Sequence, residues 1–478
     1  MKLYYASVMA ALCLAVASCC QESPYGATPS GAQLRWQQME TNMFVHFGPN
    51  TFSGQEWGSG AEAEDLFNPS DLDCRQWART ALAAGFKGII ITAKHHDGFC
   101  LWPNPGSSHT VRESSWREGR GDVLRELSDA CREYGLGFGV YISPWDRHDP
   151  AYGTPEYNNV YVRTLQSVLG GAYGTVFEQW FDGACGEGPG GKKQVYDWPL
   201  FNSTVASLQN EAVIFSDVGP GCRWVGNEDG YAGRTSWSTL NTEGFEPGKG
   251  SPDRDTLNQG NVGGTHWVPS ETDVSIRPGW FWRESENASV KDLQALLKIY
   301  YESVGRNSLL LLNVPPDTRG RICKVDSLRL MEWREALDSI FSDDLAKNAK
   351  LSSSSSVRGH RASALTNEDY HAFWLPRKGD SSPAVTLSFP EQVCFNRVLL
   401  QEYIPMGQRI AAFTIEAMDA DGSWRTIARE TTVGYKRIVL TPPTRTTAVR
   451  ITVKDALKRP ALCKAGLYLD TVYEQPVI

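Results

Sequence analysis

The chain has 478 residues, of which 41% are hydrophobic, and a formal net charge of −8. This length is enough for two or three domains, and the composition is that of an ordinary globular protein. The sequence shows no basic stripe, so binding to nucleic acid through its phosphates is not expected, and a neutral or mildly polar substrate fits better.

A targeting segment is predicted at residues 1–19. Lys2 precedes an apolar run from Ala6 to Ser18, which is too short to span a bilayer. Residues 16–19 (VASC) resemble a bacterial lipoprotein signal, in which Cys19 becomes the lipidated first residue of the mature chain. We therefore expect an exported bacterial protein, a periplasmic or outer-membrane lipoprotein that contacts a membrane only through its lipid anchor. A plain secretory signal is the alternative.

Residues 20–345 alternate predicted strands and helices. Helices are expected from a cap near Ser70 to Gly85, from Asp122 to Tyr134, at residues 156–169 and around residues 290–304. Strands are expected at residues 43–47, 88–93, 138–142, 174–182, 213–216, 223–225, 267–268 and 309–312. Repeated units of this size indicate an α/β fold with a parallel sheet.

The parallel sheet could be a (β/α)8-like barrel or a doubly wound sheet. The sequence has no GxGxxG after its first strand and no GxxxxGK[ST]. This argues against a nucleotide-binding, doubly wound sheet. Polar residues stand repeatedly at the carboxyl ends of the predicted strands, where barrel enzymes carry their chemistry. The barrel is therefore the expected fold of the catalytic domain.

Residues 346–478 have a different sequence pattern from the residues before them. A serine-rich stretch at residues 351–356 marks the boundary. Short alternating runs follow at residues 384–389, 397–401, 413–417, 437–440 and 448–453, separated by turn signals. This pattern predicts an all-β sandwich.

The eleven cysteines include no CxxC pair, which argues against a zinc site or a dense disulfide framework. His95 and His96 are adjacent on a predicted strand, where neighbouring side chains point in opposite directions, so their spacing is not typical of a metal site. No metal and no cofactor is expected.

Asp182 stands at the end of the run GTVFEQWFD and is followed by Gly183. A barrel strand that ends in this way delivers a carboxylate to the mouth of a pocket. Taken alone, Asp182 would more readily be interpreted as the cap of the next helix. The sixteen tryptophans suit sugar binding as well as core packing. Hydrolysis of a glycoside requires two carboxyl groups, so Asp182 would need a partner.

Six motifs in order resemble glycoside hydrolase family 29, the retaining α-L-fucosidases. They are residues 43–48 (MFVHFG), 56–57 (EW), 93–99 (AKHHDGF), 141–146 (YISPWD), 180–183 (WFDG) and 224–228 (WVGNE). The resemblance covers nearly all of residues 33–342. It implies a barrel-like catalytic domain in which Asp182 is the nucleophile.

The motif at residues 224–228 and the phrase at residues 271–281 (ETDVSIRPGWF) resemble the branch of the family that is selective for α-1,3/1,4-linked fucose. In that branch the glutamate of the first motif is the acid/base, which implies this role for Glu228. Glu271 and Asp273 are the alternatives.

The resemblance also implies contacts with the sugar. The residues concerned are His46, Glu56, Trp57, His95, His96, Tyr141, Trp180 and Trp282. Buried structural histidines and core aromatics are the competing interpretation. Asp97 and Asp146 are expected to be structural.

The expected activity is release of terminal L-fucose from fucosylated oligosaccharides or glycoconjugates, with retention of configuration. The alternatives are another retaining exo-glycosidase on the same barrel, such as an α-galactosidase, and a non-catalytic glycan-binding lipoprotein. Residues 398–403 and 434–438 resemble discoidin-like carbohydrate-binding modules, for which a purely structural domain is the alternative.

Overall fold

The computed structural model describes residues 22–248 and 250–474. The predicted lipidation site Cys19 therefore lies outside the described residues. Within the described part of the chain, no helix combines the length and apolar character needed to cross a membrane. The eight cysteines between Cys74 and Cys463 are free thiols.

Eight parallel strands of the first domain form a closed barrel, as the sequence predicts. In chain order they are β1 (Thr41–Val45), β2 (Gly88–Lys94), β3 (Gly137–Ile142), β4 (Glu178–Trp180), β5 (Val213–Ser216), β6 (Cys222–Trp224), β9 (Ser270–Ser275) and β10 (Leu309–Asn313). A two-stranded hairpin of β7 (Thr239–Leu240) and β8 (His266–Trp267) lies outside the barrel. The pairing of β1 with β10 closes the ring.

The helices pack around the barrel. They are α1 (Gly31–Met39), α2 (Pro49–Ser53), α3 (Cys74–Ala83), α4 (Val123–Tyr134), α5 (Glu156–Leu169), α6 (Trp198–Leu208), α7 (Arg254–Gln259), α8 (Leu293–Glu302) and α9 (Lys324–Phe341). All seven positions of β2 are buried, as expected for a parallel strand covered on both faces. No helix intervenes between β5 and β6, which residues 217–221 connect.

One detail of the predicted helices is wrong. The cap of α3 is Asp73, whose side chain accepts from the Gln76 N–H, rather than Ser70. The end of α4 agrees with the prediction, because Gly135 adopts the left-handed conformation (φ 69°) that ends a helix at low steric cost.

The strand predicted at residues 267–268 does not belong to the barrel. It pairs with Thr239 and Leu240 in the hairpin, and β9 supplies the barrel strand instead. The sequence of β9, SETDVS, is mostly polar, yet all six residues are buried. Glu271 and Asp273 occupy every second position of β9, where a buried strand usually has apolar residues. The hydrophobicity pattern therefore could not reveal this strand.

The second domain is antiparallel and confirms the predicted β-sandwich. Its strands are β11 (Lys350–Ser353), β12 (Ala384–Glu402), β13 (Ile410–Met418), β14 (Trp424–Glu430), β15 (Arg437–Ala456) and β16 (Leu462–Tyr468). They pair in the order β11-β12-β15-β13-β14, with β16 on β12. Four of the five predicted runs merge into two long strands, β12 and β15, which bend at register shifts, and the fifth forms β13. The serine stretch partly forms β11 rather than a linker.

The two domains share buried contacts. Leu399, Ile438 and Tyr468 of the sandwich belong to the hydrophobic core that surrounds the barrel. Asp470 accepts from Tyr301 of α8 at 2.6 Å and from Arg397 at 2.8 Å, all within the buried interface. The sandwich therefore contributes to the packing of the catalytic domain.

Candidate active site

Asp182 lies two residues after the end of β4, at the carboxyl-terminal mouth of the barrel. Its Oδ1 accepts from the Ala184 N–H at 2.7 Å, and its Oδ2 accepts from the Tyr141 hydroxyl at 2.9 Å. His96 Nε2 lies 3.6 Å from the same Oδ2. The Asp182 side chain remains 27% exposed, so the carboxylate is oriented by the protein and still open to a ligand.

Three predicted histidines converge beside Asp182 from the ends of β1 and β2. The His95 ring lies 4.2 Å from that of His96 and 5.9 Å from that of His46, measured between centroids. His46 Nδ1 bonds Asn313 Oδ1 at 2.9 Å, and His96 Nδ1 bonds Ser143 Oγ at 2.8 Å. These bonds fix two of the rings and leave their Nε2 atoms for other partners.

The three histidines are neutral at ordinary pH. Burial lowers the pKa of His46 to about 3 and that of His96 to about 4, although Asp182 opposes the shift at His96. Burial also holds the pKa of His95 well below its usual range. Each neutral imidazole can donate one hydrogen bond and accept another, which suits sugar hydroxyls.

Asp97 and Asp146 are bound by the protein itself. Asp146 accepts from Lys94 at 3.0 Å in a buried ion pair, and burial raises the pKa of Asp97 to about 7. Asp97 Oδ1 accepts from the Phe99 N–H at 2.7 Å. These contacts brace the loop that carries the histidines.

Glu228 lies in the exposed loop after β6. Trp280 donates to Glu228 Oε2 at 3.3 Å through its indole N–H. Partial burial raises the pKa of Glu228; the bond from Trp280 opposes this shift, and the nearby Asp182 and Glu56 carboxylates add to it. A carboxyl group with a raised pKa in an open site is suited to donate a proton.

Trp280 is a site residue that the sequence reasoning missed. Its ring lies 4.9 Å from that of His46, and its backbone N–H donates to Glu56 Oε1 at 2.6 Å. It thus links three predicted site residues. Trp282, predicted instead, packs over Arg277, with the guanidinium carbon 5.9 Å from its ring centroid. Both tryptophans stand in the phrase RPGWFW, so the spacing alone could not separate them.

Of the other aromatic residues predicted to contact the sugar, one lies at the surface and two lie in the interior. Trp57 is 58% exposed and meets the rings of His96 and Trp145 edge-on. Tyr141 and Trp180 are buried and stacked, with centroids 5.3 Å apart. Trp57 could therefore cover a ligand from the solvent side, while Tyr141 and Trp180 line the floor.

The two alternative acids lie inside the barrel. Glu271 is fully buried, and its Oε1 accepts from the Trp180 indole at 2.8 Å. Asp273 is also buried, and burial holds its pKa well above the usual range, with the Glu228 charge adding to the shift. Of the three candidate acids, Glu228 alone is exposed to solvent.

Comparison with known proteins identifies the family of each domain. The family described as Alpha-L-fucosidase matches residues 25–337, and the F5/8 type C domain matches residues 349–464. Alpha-L-fucosidase 1 of Arabidopsis thaliana is 43% identical over 450 residues, which cover 92% of this chain and 87% of the plant protein. The plasma alpha-L-fucosidase of Homo sapiens is 27% identical over 308 residues, 62% of this chain and 60% of the human one.

Solved structures show the same likeness. A putative alpha-L-fucosidase from Bacteroides thetaiotaomicron aligns with a TM-score of 0.88 at 35% identity, covering 94% of this chain and 99% of that one. A Ruminococcus gnavus GH29 fucosidase in complex with fucose aligns with a TM-score of 0.84 at 31% identity, covering 94% and 97%. The chain therefore belongs to glycoside hydrolase family 29 and is an α-L-fucosidase with an F5/8 type C domain at its carboxyl end.

Proposed function

We propose that this fucosidase is a retaining exo-enzyme in which Asp182 is the nucleophile and Glu228 is the acid/base. The observation that carries the proposal is the difference between the two carboxyl groups. Asp182 is held in place by hydrogen bonds from the Tyr141 hydroxyl and the Ala184 N–H, whereas Glu228 has a raised pKa and an open position. Two carboxyl groups with such different surroundings suit the two roles of a retaining glycosidase.

In the first step, Asp182 Oδ attacks the anomeric carbon of the fucosyl unit while the bond to the leaving oxygen breaks. Glu228 gives its proton to that oxygen, so the leaving sugar departs as a neutral alcohol. In the second step, Glu228 takes a proton from water, which attacks the same carbon and releases Asp182 as a carboxylate. Two inversions at one carbon give L-fucose with its original configuration.

The neutral histidines bind the sugar in this scheme. His46, His95 and His96 present ring nitrogens from two strand ends beside the nucleophile. Their hydrogen bonds hold fucose hydroxyls, and the aromatic rings of Trp180 and Trp280 border its apolar face. Trp57, from the exposed side, covers the bound sugar.

The nucleophile is tested by Asp182→Ala. This change is expected to lower kcat on an aryl α-L-fucoside by roughly 10⁴-fold, because no other group can form the covalent intermediate. The matched control is Asp229→Asn, an exposed acid beside Glu228 that pairs with Arg254 and should stay near wild type. Proton NMR of the first-released fucose should show the α-anomer; first release of the β-anomer would rule out retention.

The acid/base is tested by Glu228→Ala. The variant should keep much of its activity on substrates whose leaving groups need no proton. It should regain turnover with azide, which attacks the covalent intermediate in place of water and needs no general base. If neither occurs, Glu271 and Asp273 become the candidates.

The proposed linkage preference is α-1,3/1,4, and it rests on the motif at residues 224–228. A Lewis-type trisaccharide should be hydrolysed at least ten times faster, as kcat/KM, than an α-1,2-linked fucoside, a difference of ~1.4 kcal/mol in transition-state binding. Equal rates on the two would contradict the preference. Turnover of an α-galactoside in place of fucosides would favour the alternative glycosidase.

The proposed location is the bacterial cell envelope, through a lipid on Cys19. The proposal rests on the VASC sequence at residues 16–19. Wild-type protein should fractionate with membranes and incorporate labelled fatty acid, and Cys19→Ala should do neither. Soluble, unlabelled wild-type protein would favour the plain secretory signal.

A further inference from the structure

Two buried glutamates face each other inside the barrel, beneath the site. Glu178 begins β4 and Glu271 lies near the start of β9, and both are completely buried. One oxygen of each carboxyl group and the Cys222 sulfur all lie within 4.8 Å of one another. The proposed mechanism uses neither glutamate, although burying two carboxyl groups together is costly.

Within residues 22–248 and 250–474, the hydrogen bonds to this pair come from neutral donors and not from a cation. Glu178 Oε2 accepts from the Trp36 indole at 2.7 Å, and Cys222 lies 3.7 Å from Glu178 Oε1. The neighbouring Arg223 donates to three backbone carbonyls instead. Two negative charges in such a dry interior would repel each other without relief, so the pair holds a proton between them.

One oxygen identifies where this proton resides. Glu271 Oε1 accepts from Trp180, but Glu271 Oε2 is buried and has no donor among the described residues. Because an oxygen of Glu271 lies within 4.8 Å of one of Glu178, a proton retained by Glu271 can be shared with Glu178, which leaves the pair with a single negative charge. Burial raises the pKa of Glu178 to about 7 and holds that of Glu271 well above its usual range, which agrees with a proton retained by the pair.

The pair is connected to the nucleophile through two aromatic residues. Trp180 donates to Glu271, and its ring stacks on Phe215 at 3.8 Å and on Tyr141 at 5.3 Å between centroids. Tyr141 in turn donates to Asp182 Oδ2. Trp180 is also only two residues before Asp182 in the chain, and its ring forms part of the floor of the site.

We propose that Glu178 and Glu271 form a proton-sharing carboxyl pair that fixes the Trp180 indole and, through Trp180 and Tyr141, holds Asp182 in its attacking position. Both glutamates are positioning residues for the reaction. This inference rests on the proposed function, because it takes Asp182 as the nucleophile.

The first test compares two substitutions at one position. Glu271→Gln keeps an oxygen for Trp180 and supplies an N–H to Glu178 in place of the shared proton, so kcat should stay within about three-fold of wild type. Glu271→Leu removes the acceptor and should lower kcat by ~10-fold or more, with a smaller change in KM, because a misplaced nucleophile affects the chemical step. Equal kcat for Glu271→Leu and wild type would overturn the proposal.

The control separates positioning from stability. Leu310→Ala removes buried volume on the outward face of β10, away from the pair. It should lower Tm while leaving kcat unchanged at temperatures well below Tm. A loss of kcat equal to that of Glu271→Leu would mean that barrel destabilisation alone explains the effect, and would overturn the proposal.

A double-mutant cycle tests the route through Trp180. In Trp180→Phe the indole donor is absent, so adding Glu271→Leu should cost little further kcat. Full additivity of the two losses would contradict the proposed route. If Glu271→Leu fails to fold, Glu271→Met replaces it in the cycle, because methionine also lacks a carboxylate acceptor. The expected coupling with Trp180→Phe is the same.

The shared proton has its own signature. The infrared spectrum of the wild type at neutral pH should contain a protonated-carboxyl band that is lost in Glu271→Gln. Absence of that band, or a stoichiometric metal ion in the purified enzyme that Glu271→Gln loses, would overturn the proton-sharing pair. If Asp182→Ala keeps its activity, the proposed function itself fails. If Asp182→Ala is inactive but Glu271→Leu has a normal kcat, only the carboxyl-pair inference is refuted.

Discussion

Burial raises the pKa of the proposed acid Glu228, and the hydrogen bond from Trp280 limits this rise. The indole N–H stabilises the charged carboxylate and so lowers the pKa of Glu228, against the raising effects of burial and of the Asp182 and Glu56 charges. Because a general acid must be protonated, kcat/KM falls as pH rises through this pKa.

Replacement of Trp280 by phenylalanine should therefore move the alkaline limb of the kcat/KM profile to higher pH. The expected shift is ~0.5 pH units, which corresponds to the loss of one modest hydrogen bond to a charged group. The measurement is kcat/KM on a natural glycan between pH 4 and 9. An alkaline limb that stays in place, or moves to lower pH, would contradict the assigned effect of Trp280.

Individual site residues were predictable where a motif fixes both the residue and its strand end. His46, His95, His96 and Asp182 are such cases, and the structure brings them together. Trp280 was not predictable, because its proximity to Glu228 depends on how the loop after β9 folds back over β1. Two tryptophans two residues apart give no signal of which one faces the site.

At the scale of single elements, the carboxyl ends of β1 and β2 bury histidines that cannot easily ionise. The folded pKa values of His46 and His96 are about 3 and about 4, below the unfolded value of ~6.5. Below pH 6.5 the unfolded chain therefore binds protons that the folded protein does not, so stability falls as pH decreases toward those folded values.

We expect His96→Asn to lose less stability than the wild type between pH 7 and pH 5. The difference should be about 2 kcal/mol, since one histidine costs ~1.4 kcal/mol for each pH unit below 6.5. Urea denaturation of both proteins at the two pH values measures it. Identical pH dependence would mean that His96 ionises freely in the folded state.

The buried ion pair between Lys94, at the end of β2, and Asp146 should be essential to the strand end that carries the histidines. Lys94→Met leaves the Asp146 charge buried without a cation, which should destabilise the fold by about 3–5 kcal/mol. Adding Asp146→Asn should recover part of this loss. A double variant less stable than Lys94→Met, in denaturant unfolding, would argue against the pairing as the cause.

Among the elements, those with an apolar pattern were predicted close to their observed bounds, and β5 and α5 match at both ends. The strand β9 was missed as a strand because its buried side chains are acids and hydroxyls. Their burial is tolerated through partners such as Trp180, which no local pattern records.

At the scale of the whole molecule, the sandwich and the barrel are parts of one folded body. Tyr435 donates its backbone N–H to Asn307 at 2.7 Å, and Gln408 accepts from the Ser238 N–H at 2.7 Å. Together with the contacts of Asp470 described above, these bonds bury polar groups across the interface. Separation of the domains would leave them unsatisfied.

Truncation after residue 345 should therefore destabilise the barrel rather than release an independent domain. We expect the full chain to unfold in a single calorimetric transition, and the truncated chain to be aggregated or to melt at least ~10 °C lower, because several kcal/mol of buried contacts are lost. A truncated protein with wild-type Tm and kcat would show that the sandwich is a detachable module.

The sequence by itself determined the fold class, the family and the residues beside Asp182, because periodic burial and strand-end motifs are local properties of a chain. The tertiary structure decided what depends on distant segments meeting. It brought Trp280 to Glu228, buried Glu271 and Asp273 inside the barrel, and packed the sandwich against α8. Burial sets the charge of a carboxyl group, and burial is known only once the whole chain is folded.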